Sequence, residues 1–68
     1  MTDREFLRRL RRYARKRGLT VEHTPERGKG SHAKVQLGDK ATTLSRGELQ
    51  SGTLRSMLRQ LDIDKREF

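Results

Sequence analysis

The chain predicts an α+β domain of order α-β-β-β-α. Apolar residues recur every three to four positions near each end, alternate with polar residues through the middle, and are separated by glycine- and proline-bearing breaks. Together these patterns imply a three-stranded antiparallel sheet with two helices on one face and the other face open. With 68 residues there is room for one small domain, residues 1–68.

The first helix is expected over residues 3–17. Thr2, with Glu5 three positions later, has the signature of a capping box, and Asp3 suits the positive end of the helix dipole. Phe6, Leu7, Leu10, Tyr13 and Ala14 make one apolar stripe, while Arg8, Arg11, Arg12, Arg15 and Lys16 make a basic ridge opposite. Gly18 closes the helix as a C′ residue, after Arg15, Lys16 and Arg17 at the negative end of the dipole. A charged ridge of this kind is ordinarily a solvated face; as a group it is also a guide for nucleic acid or a dock for an acidic partner.

Residues 19–24 alternate, with Leu19, Val21 and His23 on one side and Pro25 as the stop, and predict the first strand. His23 shares its side with apolar residues and reads as a hydrogen-bonded histidine at the edge of the core. Residues 26–30 form a polar, glycine-bearing hairpin loop, and residues 31–37 a second strand. Gly38-Asp39 with Lys40 makes a tight turn, and residues 41–44 a third strand. A connector of little periodicity follows, then Ser51 as N-cap of a second helix. Leu54, Met57, Leu58 and Leu61 form its apolar face, and Asp62-Ile63-Asp64 ends it. Residues 64–68 read as a frayed tail.

Hydrophobic residues are 29% of the chain and charged residues 38%, so the core must be thin. There is no cysteine, which removes disulfides and thiolate chemistry. No apolar run is long enough for a signal peptide or a membrane span, which points to a cytoplasmic chain with no membrane partner. Seventeen Lys and Arg against nine Asp and Glu give a net charge of +8, an argument for a polyanionic partner. Phe6, Tyr13 and Phe68 are the aromatic residues, too few for base stacking to dominate, so phosphate contacts must carry the binding.

The residues placed for chemistry are Gly28-Lys29-Gly30-Ser31-His32 and the alternating run after them. If Ala33, Val35 and Leu37 point into the core, His32, Lys34 and Gln36 point to solvent. An imidazole then stands beside a lysine at the mouth of a glycine-lined turn. A base that takes the proton from the 2′-hydroxyl of RNA turns that oxygen into an internal nucleophile, already positioned beside its phosphate. Imidazole chemistry suits this step at cell pH and contributes on the order of 10²–10⁴-fold. Lys29 and Lys34 would offset developing phosphate charge, Gly28 and Gly30 let backbone approach, and Ser31 donates a hydrogen bond. Arg27, Lys29, Gly30, Ser31 and Lys34 are thus the expected RNA-binding residues and His32 the catalytic one. No second general acid stands out, so a slow nuclease is expected.

Gly30-Ser31-His32, the strand after it, the threonine-bearing third strand and Gly52-Thr53-Leu54-Arg55-Ser56-Met57-Leu58 together resemble the HicA toxin family, small RNA-cleaving toxins of toxin–antitoxin pairs. The resemblance runs from the first helix to about Ile63. It departs at Val35, three positions after the histidine, where the family often carries a bulkier residue. The family implies a fold like the double-stranded RNA-binding domain, ribosome-independent cleavage of mRNA with His32 as the catalytic residue, and inhibition by a HicB-type antitoxin that masks the site. A monomer is the expected free state.

No cofactor is expected. Two histidines nine positions apart and no clustered carboxylates lack the spacing of a zinc or two-metal site, so cleavage should persist in chelator. The chief alternative is a non-catalytic basic module that grips RNA by shape and phosphates. A DNA-binding regulator with residues 51–62 as recognition helix ranks below it, because that helix must bury its apolar face.

Overall fold

The computed structural model describes residues 1–25 and 32–68. In chain order these form helix α1 (Asp3–Arg17), strands β1 (Val21–Pro25), β2 (His32–Leu37) and β3 (Lys40–Ser45), helix α2 (Ser51–Gln60) and a 3-10 turn at Lys65–Glu67. The strands make one antiparallel sheet in the order β1-β2-β3. The expected α-β-β-β-α architecture is therefore present, with both helices packed on one side of the sheet and the opposite side bare.

The start of α1 and the ends of both helices are capped. At the start of α1 the Thr2 hydroxyl accepts from the Glu5 amide at 3.2 Å, while the Glu5 carboxylate lies 3.8 Å from the Arg8 guanidinium one turn on. At its end Gly18 takes φ 67°, and the Leu19 amide donates to the Ala14 carbonyl at 2.9 Å. The end of α2 repeats this geometry with a different residue. Asp62 takes φ 58°, its amide donates to Arg59, and the Ile63 amide donates to Leu58 at 2.8 Å. Short polar side chains such as Asp tolerate the left-handed region that glycine enters without cost.

Several boundaries differ from expectation for reasons outside the local pattern. The first strand begins at Val21, because Leu19 is used to close α1 and the Thr20 carbonyl accepts from the Gly38 amide. Leu19 is consequently 42% exposed rather than seated in the core. Pro25 lies inside β1, an edge strand where a missing N–H is tolerated. Ser51 is the first helical residue rather than the N-cap. Gln50 holds that place without a side-chain hydrogen bond. The reason is pairing of the connector with the start of the chain. Asp3 donates to the Gly47 carbonyl and Leu49 to the Met1 carbonyl, and Thr2 bridges Glu48. This holds the connector extended up to the point where α2 begins.

The core joins Phe6, Leu10 and Ala14 of α1 to Val35, Leu37 and Leu44 of the sheet and to Met57, Leu58 and Leu61 at α2, with Leu49 and Ile63 at its margins. Val35 is fully buried. The tail is docked, not frayed. Phe68 stacks on Phe6 with centroids 5.2 Å apart, and Glu67 pairs with Arg17, whose guanidinium lies 4.6 Å over the Tyr13 ring. A core this lean gains apolar cover for Phe6 from Phe68, which offsets the entropy of ordering the segment. No helix of the described residues is long and apolar enough to cross a membrane.

Candidate nucleic-acid interface

Side chains of directly paired residues in an antiparallel sheet lie on the same face, so register assigns each residue a side. The rows Val21–Leu37–Lys40, His23–Val35–Thr42 and Pro25–Ala33–Leu44 belong to the helix side. Glu22–Gln36–Ala41, Thr24–Lys34–Thr43 and His32–Ser45 belong to the bare side. His32 and Lys34 therefore stand where the alternation of residues 31–37 put them, and both are exposed. His23 lies on the opposite face, on the outer strand, and is exposed rather than tucked at the edge of the core. Arg27, Lys29, Gly30 and Ser31 lie outside the described residues.

His32 opens β2 and is held from across the sheet. Its Nδ1 lies 3.2 Å from the Ser45 hydroxyl of β3. A hydroxyl can donate or accept, so this contact suits either tautomer. When Nδ1–H donates to Ser45 Oγ, Nε2 carries the lone pair that a general base needs. Lys34 follows two residues on, roughly 7 Å along the strand by ordinary β-strand rise. Between and beside them are the hydroxyls of Thr24 and Thr43 and the Gln36 amide, which donates to the Gly38 carbonyl at 3.1 Å. Among the described residues the bare face thus carries hydroxyls, one imidazole, one ammonium and the Glu22 carboxylate, and around His32 and Lys34 its donors suit phosphate and ribose oxygens rather than bases.

Ser45 is not among the expected site residues, because the sequence pattern ends the third strand at Leu44 whereas β3 runs on to Ser45. A signal for it existed. Gly38-Asp39 is a two-residue turn with positive φ at Gly38 and not at Asp39, as a type II′ hairpin requires. Counting outward from it in equal steps carries Leu37 to His32 and Lys40 to Ser45. Thr42 is the converse case, a polar residue on the helix side. It is 6% exposed, and its hydroxyl donates to Gln60 Oε1 at 2.5 Å, which removes the cost of burying it.

Set against known proteins, the chain matches no family model, no curated protein and no solved structure.

Proposed function

We propose that this chain is an RNA-cleaving domain of the HicA toxin type, an endoribonuclease acting on mRNA with His32 as general base and restrained by a HicB-type antitoxin. The observation that carries the reading is the exposed His32 imidazole on the bare sheet face, held through Nδ1 by Ser45. The net charge of +8 supports a polyanionic substrate. In the reaction His32 Nε2 takes the 2′-hydroxyl proton, the 2′-oxygen attacks the adjacent phosphorus, and the 5′-oxygen leaves with a proton from water. The products are a 2′,3′-cyclic phosphate and a 5′-hydroxyl end. Lys34, on the same face, offsets charge that builds on the phosphate oxygens.

The test is cleavage of a single-stranded RNA by wild type and by His32→Ala, together with the affinity of each for that RNA. Loss of cleavage by about 10²–10⁴-fold with affinity retained is expected, and cleavage by wild type should persist in EDTA. An RNA left intact by wild type under all conditions would overturn the reading and leave a basic RNA-binding module.

A further inference from the structure

The helix-side charge is not absorbed by the sheet-face site. Helix α1 carries seven arginines and one lysine against two acids, Asp3 and Glu5. Its apolar residues Phe6, Leu10 and Ala14 are buried, so Arg4, Arg8, Arg11, Arg12 and Arg15 project away from the fold, and all five are exposed. Among the described residues, the ion pairs made from α1 are Arg8 with Glu5 at 3.8 Å and Arg17 with Glu67. Arg4, Arg8, Arg11 and Arg15 follow one another at intervals of four, three and four positions. At about 100° and 1.5 Å per residue they fall within roughly 60° of arc and span about 16 Å. Like charges at such spacing repel one another, and a helix gains nothing for its own stability by concentrating them.

The stripe lies on the helix side, where Arg11 and Arg15 border Leu19, Thr20 and Val21 along the outer edge of the sheet, and His32 lies on the bare face. The two surfaces therefore sit on different sides of a fold whose smallest Cα extent is 17 Å. One RNA segment cannot lie flat on both. The composition of the stripe favours nucleic acid over protein: its four side chains are all guanidinium groups, which match phosphate oxygens in bidentate pairs, and the exposed large hydrophobic beside them among the described residues is a single side chain, Leu19.

We infer that the outer face of α1 is a second RNA-binding surface, on which Arg4, Arg8, Arg11 and Arg15 grip the phosphate backbone several nucleotides away from the bond presented to His32. That it acts in cleavage rests on the reading of His32; that it binds RNA does not. An RNA long enough to round the edge of the sheet engages both surfaces, and a trinucleotide at His32 engages one.

The experiment measures the fluorescence anisotropy of a labelled 20-nucleotide single-stranded RNA over a salt series, in a His32→Ala background that leaves the RNA whole. Three proteins are compared. They are the background itself, the background with Arg4, Arg8, Arg11 and Arg15 changed to Gln, and the background with Arg55, Arg59, Lys65 and Arg66 changed to Gln, which removes the same charge elsewhere. The stripe variant should bind at least about tenfold more weakly and lose about 3 from the slope of log affinity against log salt, four single-strand phosphate contacts' worth. The second set should bind within about threefold of the background. With His32 intact, the stripe variant should cleave a trinucleotide with unchanged kcat/KM and a 20-nucleotide RNA with raised KM. Equal weakening by both sets would mean diffuse charge alone, and no weakening, or loss of polyglutamate binding with RNA binding retained, would mean an acidic-protein surface. Each of these overturns the inference. A wild type that cuts nothing sinks the catalytic reading and leaves the anisotropy result to stand by itself.

Discussion

On one side of the sheet Val35 and Leu44 are buried in a cluster with Phe6, Leu10 and Met57, whereas their immediate neighbours along the strands, Lys34, Thr43 and Ser45, stand on the bare side with His32. The same backbone serves both sides, and the alternation of side chains separates two kinds of requirement. The helix side depends on volume and apolar area. The bare side contributes almost nothing to burial, so its residue types answer to whatever is laid upon it. A wet face is ordinary for an antiparallel sheet and is not itself a sign of function. The signal is narrower: an imidazole fixed by a hydroxyl across the sheet.

Substitutions should separate the two sides by what they change. Leu10→Ala empties a fully buried position and should cost about 2–5 kcal/mol, enough to unfold much of a domain this small, as read by urea denaturation. His32→Ala should change the unfolding free energy read from the same urea curve by less than about 0.5 kcal/mol; a larger change would mean that the ring is structural. Gln60→Ala strips the Thr42 hydroxyl of its partner and should cost about 1–3 kcal/mol, part of which Thr42→Val in the same chain should recover. Ser45→Ala should leave stability alone and lower kcat of RNA cleavage about two- to tenfold with KM unchanged, the effect of one net hydrogen bond on the imidazole. Asp62→Gly runs the other way, a gain of about 0.5–1 kcal/mol and a higher Tm, because glycine takes φ 58° without strain.

What could be read from residue order alone follows a physical line. Helix α1 was legible to the residue because its cap, stripe and closing glycine lie within one contiguous segment. The outward direction of His32 and Lys34 was legible because alternation is local. Leu49 in the core, the Thr42–Gln60 bond and the docking of Phe68 on Phe6 were not, since each depends on a partner far along the chain that no periodicity marks. Of the candidate site, the strand half was readable and Ser45 was lost to a strand cut one residue short. Arg27, Lys29, Gly30 and Ser31 lie outside the described residues.

The two-residue Gly38-Asp39 turn fixes the pairing of the whole β2–β3 ladder, because Leu37 faces Lys40 and every row out to His32–Ser45 follows from it. A one-residue slip of β3 against β2 would exchange its two faces, turning Leu44 out to water and driving Thr43 and Ser45 against the helices. An added residue should therefore be accepted only as a longer loop or a bulge that leaves Leu37 opposite Lys40.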